Sequence, residues 1–239
     1  MELLYQDDAY ARRCEATVIS ADGDGIRLDR TVFYPTGGGQ PGDSGVLRLA
    51  DGGEIRIETT RRGAGPGDVL HVPAEGATPL APGTKVVAEI DWERRHAHMR
   101  IHSCLHLLCT VVDGPVTGGQ IGAGRGRLDF DIPEATLDKG EITTALNRLI
   151  AEDHPVRSRC IDDDELYARP DLVKTMSVSP PRGMGRVRLL EIEGVDLQAC
   201  GGTHVKTTSE IGPVEVVKIE KKGRHNRRVV IAFRDGERK

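Results

Sequence analysis

The chain changes its hydrophobic period once, at Asp91, and that change limits what it can fold into. Before Asp91, residues 15–20, 25–29, 45–49, 54–58 and 85–91 alternate apolar and polar side chains, with Gly, Asp and Pro between them. A period of two puts every second side chain on one face, the pattern of half-buried strands. Several such short strands at close spacing predict a small β-barrel. After Asp91, residues 92–112 contain neither proline nor glycine, and Met99, Ile101, Leu105, Leu108 and Val112 recur at helical spacing. This is the strongest helix signal in the chain.

Beyond it, residues 127–131 read as a strand and 137–153 as a second helix ending before Pro155. Segments 187–192, 214–219 and 228–233 complete a sheet. The expected fold is therefore α+β: a small N-terminal β-barrel over residues 1–91, then an α/β domain over 92–239 with helices packed on an antiparallel sheet.

Aromatic residues make up only 3%, so the core must be built mainly from Val, Leu, Ile and Ala. No run of eighteen apolar residues occurs, which argues against a membrane-spanning helix. The first residues, Met1-Glu2-Leu3-Leu4-Tyr5-Gln6-Asp7-Asp8, lack the basic-then-apolar order of a signal peptide. Five scattered cysteines (14, 104, 109, 160 and 200) suit reduced thiols, and hence a cytoplasmic location, better than a disulfide framework.

The net charge of −4 argues against a general nucleic-acid binder, but the charge is unevenly spread. Residues 218–239 hold nine basic and three acidic side chains, a local net of +6. Within them Lys221, Lys222, Arg224, Arg227 and Arg228 cluster where two strand-like segments join. Such a hairpin can hold phosphates through charge and counterion release. The plainer alternative is a solubilising tail.

Chemistry is concentrated in two places. His102 and His106, four apart on the helix, share one face about a turn apart and can reach one metal ion. Ser103 and Cys104 follow His102, so the metalloprotease pattern with its glutamate is absent. Far downstream, Cys200-Gly201-Gly202-Thr203-His204 sets a thiol and an imidazole on either side of two glycines, which let the backbone fold tightly enough for both to converge. Together the four make the N/S donor set that zinc favours. Cys200 as a small buried hydrophobe and His102 as a core histidine are the alternatives. A closed four-ligand site is usually structural, and catalysis needs an exchangeable ligand or a fifth position.

A third segment, residues 33–45, contains three consecutive glycines, Gly37, Gly38 and Gly39, before Gln40. Bare backbone N–H groups suit an anion or a nucleotide end. A long turn between strands explains the glycines equally well.

Taken together, residues 33–45, His102-Ser-Cys-Leu-His106, Thr117-Gly-Gly-Gln120-Ile121, Cys200-Gly-Gly-Thr-His204-Val205 and residues 223–228 resemble, in order, the freestanding alanyl-tRNA editing (AlaX) family, medium-length subgroup. That family is related to the editing domain of alanyl-tRNA synthetase. The resemblance implies an ATP-independent ester hydrolase that removes serine, and glycine as well, from wrongly charged alanine tRNA. A pocket sized for alanine rejects neither by much, so a second site must hydrolyse the error.

By position, the resemblance implies one Zn²⁺ held by His102, His106, Cys200 and His204, with catalytic roles for Gln120 and Thr203. Gly37, Gly38, Gly39 and Gln120 would contact the substrate, and Lys221, Lys222, Arg224, Arg227 and Arg228 the tRNA. The expected partner is mischarged tRNA(Ala), with no membrane, no nucleotide cofactor and a monomeric state. The sequence departs from the synthetases between the histidines, where Ser-Cys-Leu stands for their usual Thr-Ala-Thr. It also offers no obvious carboxylate base. Rival readings are an RNA-binding module with a structural zinc, a hydrolase of small molecules, and an editing enzyme for threonyl-tRNA.

Overall fold

A computed structural model of the chain describes residues 1–133, 136–169, 172–173 and 186–234. It divides into two compact units, Met1–Ala97 and His98–Lys239. In the first, the alternating segments form strands because each has one apolar face to bury. The elements are β1 (Glu2–Leu3), α1 (Leu4–Asp7), β2 (Arg13–Asp22), β3 (Gly25–Leu28), β4 (Arg30–Thr31), β5 (Gly45–Leu49), β6 (Glu54–Arg62), β7 (Val69–Pro73) and β8 (Lys85–Ile90). Six of them close a barrel in the order β2-β3-β7-β6-β5-β8. Its interior is filled by Val18, Leu28, Phe33, Leu47, Ile57 and Ala88 among others, the aliphatic core that the shortage of aromatics requires.

β7 escapes the alternation rule because Val69, Leu70 and His71 are all buried. His71 is fully enclosed, with Nδ1 2.9 Å from the Ile26 carbonyl and Nε2 2.8 Å from Thr31 Oγ1. Thr31 Oγ1 in turn accepts the Phe33 N–H at 3.0 Å. A neutral imidazole satisfies this chain: Nδ1–H donates to the carbonyl while Nε2 accepts from the hydroxyl.

The glycine-rich segment is anchored by the most buried charge in this unit. Arg95 is 0% exposed and its Nε lies 2.9 Å from both carboxylate oxygens of Asp43. Its Nη2 also bonds Asp43 and donates to the Val32 carbonyl at 2.7 Å, while Nη1 donates to the Ala9 carbonyl at 3.0 Å. Asp43 additionally accepts the Tyr34 N–H at 2.6 Å. One guanidinium thus ties together three stretches of irregular backbone.

The helix α2 (Trp92–Val111) starts in the first unit and runs into the second. The second unit continues with β9 (Val116–Ile121), β10 (Arg125–Asp131), α3 (Lys139–Ala151), β11 (Val156–Ile161), α4 (Asp163–Ala168), β12 (Val187–Ile192), β13 (Asp196–Ala199), β14 (Val214–Lys222) and β15 (Asn226–Phe233). The expected single sheet is two: a four-stranded antiparallel sheet β14-β15-β10-β9 and a three-stranded sheet β11-β12-β13. Residues 187–192 belong to the second because β11 and β13 occupy both of their edges.

Asp138 caps α3 by accepting the Glu141 N–H at 2.9 Å, and Asp162 caps α4 by accepting that of Glu165 at 2.8 Å. The acidic run at 162–164 is therefore a helix start, as its composition suggests. Among the described residues no helix is long and apolar enough to cross a membrane.

Two outcomes are expected for the barrel. Arg95→Met strands the Asp43 carboxylate in the interior and should cost about 3–5 kcal/mol. Urea unfolding followed by Trp92, the one tryptophan of the chain, measures it. Burial pulls the pKa of His71 from its ordinary 6.5 down to about 4. Between those values the unfolded chain takes up a proton that the folded barrel refuses. Stability is therefore full above pH 6.5 and falls as pH drops towards 4, by up to about 3 kcal/mol. His71→Gln should flatten that window in pH-dependent unfolding.

Candidate metal centre

The second unit brings α2 onto its four-stranded sheet through a missing side chain. On β10, Gly126, Leu128 and Phe130 face inward. A Cβ at Gly126 would lie 2.5 Å from Ile101 Cγ2 and 3.3 Å from Leu105 Cδ1, so only glycine lets the helix seat this closely. With Ile101 and Leu105 committed to the sheet, His102 and His106 project from the neighbouring stripe.

Cys200 and His204 come from the loop that follows β13. Two bonds hold that loop: the Cys200 N–H donates to the Arg188 carbonyl at 3.0 Å, and Arg188 Nη1 donates to the Gly202 carbonyl. The Gly202 N–H points back at Cys200 Sγ, 3.4 Å away. Ser103 Oγ, between the two helical histidines, accepts the Val205 N–H at 3.3 Å and lies 3.1 Å from His204 Nδ1. Helix and loop are thereby clipped together across about a hundred residues of chain.

The result is convergence. One ligand-type atom from each of His102, His106, Cys200 and His204 lies within 4.8 Å of the others. Cys200 Sγ is 3.5 Å from His102 Nε2 and 3.2 Å from His204 Nε2. The ring centroids of His102, His106 and His204 are 4.2–5.3 Å apart, and all three rings are nearly buried. Three imidazoles and a thiol at these spacings offer a convergent set of nitrogen and sulfur lone pairs to a cation.

The four side chains set one another's protonation. Burial opposes ionisation of Cys200, but the three imidazoles outweigh it and hold the thiol well below its usual range. Burial and then His102 press His204 well down, towards the neutral, donating form. His106 is lowered by burial but raised more by the Cys200 thiolate and by Asp196, to about 9. The Asp196 carboxylate approaches His106 Nδ1 at 3.4 Å and accepts from Gln198 Nε2.

The other expected residues are dispersed. Thr203 is in the same loop and fully buried. Gln120 lies exposed on the outer face of the four-stranded sheet, where its Oε1 accepts from Arg127 Nε at 3.2 Å. It lines a cavity of about 360 Å³ with Arg125, Arg127, Glu220 and Arg228, and none of the four converging residues lines that cavity. In the barrel unit, Gly37 and Gln40 exchange backbone bonds of 2.9 and 3.1 Å, and Gly38 and Gly39 take left-handed φ of 57° and 81° at an exposed tip. Gln40 beside them is fully buried.

Of the basic hairpin, Lys221, Lys222 and Arg224 are exposed around the β14–β15 turn. Arg227, the cross-strand partner of Lys221, is only 7% exposed, and its guanidinium donates to the Pro133 and Asn226 carbonyls. Arg228 is held by Asp129 at 2.7 and 2.9 Å. The basic run read as one patch is therefore three exposed cations, of which Lys222 lies 3.7 Å from the Glu220 carboxylate, and two arginines held by the fold. No sequence motif marks Ser103, Arg188, Asp196 or Gln198 as belonging to the site. The one local trace is the period-two run Asp196, Gln198, Cys200, the first two on one face of β13 and the third just past its end.

Residues 187–230 match the family described as the threonyl and alanyl tRNA synthetase second additional domain, and residues 8–94 match class II (A) tRNA synthetases. The alanyl-tRNA editing protein AlaX-M of Methanosarcina acetivorans is 38% identical over 245 residues, covering 98% of this chain and 99% of its own. The chain belongs to this family. AlaX-M of Saccharolobus solfataricus is 34% identical, covering 95% of this chain and 97% of its own length. The alanine–tRNA ligase of Pyrococcus furiosus is 34% identical over 91% of this chain but only 24% of its own. The family member thus corresponds to a minor part of that much larger enzyme.

The seating of α2 can be probed directly. Gly126→Ala should destabilise the second unit by about 1–3 kcal/mol through overpacking against Ile101. Thermal unfolding by circular dichroism measures the loss.

Proposed function

We propose that this chain is a trans-editing hydrolase that deacylates seryl-tRNA(Ala), and glycyl-tRNA(Ala) as well, around a single zinc ion. The observation that carries the reading is the convergence of His102, His106, Cys200 and His204 in a chain that aligns end to end with proteins named for alanyl-tRNA editing. The donor set fits zinc. Three imidazole nitrogens and one thiolate are its usual ligands, and the 3.2–3.5 Å spacings from sulfur to nitrogen approach the about 3.6 Å expected in a tetrahedral site. When bound, the ion supplies a Lewis-acid centre for holding or polarising the aminoacyl end.

The chain's own residues would do the rest. Thr203, buried and adjacent in sequence to His204, would orient the ester. Gln120 offers an amide to a serine hydroxyl or to the attacking water. The exposed Gly38 and Gly39, with Gly37 beside them, would present backbone to the tRNA end. Lys221, Lys222 and Arg224 would hold acceptor-stem phosphates without reading sequence.

Purified protein offered seryl-, glycyl- and alanyl-tRNA(Ala) is expected to deacylate the first two and spare the third. Equal rates on all three would remove the editing claim. Cys200→Ala should lose both bound zinc and deacylation. A closed four-donor set also suits a purely structural metal in a non-enzymatic RNA binder. That second reading predicts tRNA binding without turnover.

The phosphate contacts have their own signature. In a plot of log affinity against log salt, each contact contributes a slope of about −0.9. Reversing Lys221, Lys222 and Arg224 to Glu should therefore flatten the wild-type slope by up to about 3 units, measured by filter binding.

A further inference from the structure

We infer that Asp196, braced by Gln198, is a positioning residue that fixes the ring of His106 so that its Nε2 faces the other three donors. The inference rests on the metal reading above and adds residues that the ligand motifs do not contain. β13 alternates sharply: Leu197 and Ala199 pack against the apolar cluster around Leu189 and Val187, while Asp196 and Gln198 are buried on the opposite side. A carboxylate and an amide side by side at 7% and 4% exposure are costly to enclose unless they are used.

The use is visible. Gln198 Nε2 donates to Asp196 Oδ2, and the same oxygen stands 3.4 Å from His106 Nδ1. A carboxylate can only accept, so its bond to the imidazole requires Nδ1 to carry the proton. In the neutral ring that a metal ligand must be, the lone pair is then on Nε2, the same atom by which His102 and His204 approach Cys200 Sγ. His204 has the matching arrangement, with Ser103 Oγ at its Nδ1. All three rings are thus turned the same way, Nε2 inward, and for His106 the turning group is a carboxylate. A ligand imidazole held at its outer nitrogen keeps its orientation and gains basicity.

Asp196→Asn keeps the shape and removes the charge. Competition with a chelator should show Zn²⁺ held about 10- to 100-fold more weakly than by the wild type. The metal-free variant should unfold at the wild-type temperature or above, whereas a merely structural aspartate would lower that temperature and leave metal affinity alone. Gln198→Ala, which leaves the carboxylate but unbraces it, should weaken retention by about tenfold. On the wild type loaded with Zn²⁺, ¹⁵N-histidine spectra should show His106 protonated at Nδ1 and coordinated through Nε2. Coordination through Nδ1, or wild-type zinc affinity in both variants, would overturn the inference. A wild type that takes up no zinc would instead contradict the metal reading on which it rests.

Discussion

The second unit is organised around one half-buried thiol. Cys200 sits where a helix and a distant loop meet, and three imidazoles draw off its proton against the cost of burial. That attraction gives α2 a reason to pack with one particular face towards the loop. Apolar contacts alone fix it less tightly, since Ile101 and Leu105 need only a flat, small-residue surface beneath them. Gly126 supplies that surface, and the polar cluster supplies the register. Around the cluster lies a second ring, Ser103, Arg188 and Asp196, each of which bonds a ligand ring or the loop's own backbone. Such a ring suits a chelating site, because ligands placed by flexible side chains alone would lose too much entropy on converging.

The barrel unit solves a related problem with an ion pair. A segment carrying Gly37, Gly38, Gly39 and Gly42 has little side-chain surface to bury and much backbone freedom to lose. Arg95 and Asp43 restrain it from below: the carboxylate holds the Tyr34 N–H, the guanidinium the Val32 and Ala9 carbonyls. Because the pair is fully enclosed, neither charge can be solvated if the other is removed. The exposed glycine tip is consequently carried on a rigid base.

What could be read from the sequence was what is local. The period change at Asp91, the four-residue spacing of His102 and His106, and the Cys200–His204 loop are all encoded within a few residues. The barrel, the helix α2 and the four converging side chains follow from them. β7 was illegible because both of its faces are covered and a histidine interrupts the apolar run. β13 is illegible because its polar residues, Asp196 and Gln198, are the ones it buries, and β9 and β11 because their middle residues are not apolar on either face and leave no alternation. Nothing near Ser103 announces that it will lie beside His204, and nothing near Asp129 that it will engage Arg228 and Arg127. The basic hairpin was legible as charge but not as geometry: adjacent residues on a strand face opposite ways, so Arg227 turned inward while Arg228 turned out.

The central claim is that three imidazoles and one thiolate hold one zinc ion, and its coordination shell tests that most directly. X-ray absorption at the zinc edge of the loaded protein should give one sulfur at about 2.3 Å and three nitrogens at about 2.0–2.1 Å. A shell without sulfur, or one made mainly of oxygen, would contradict the account.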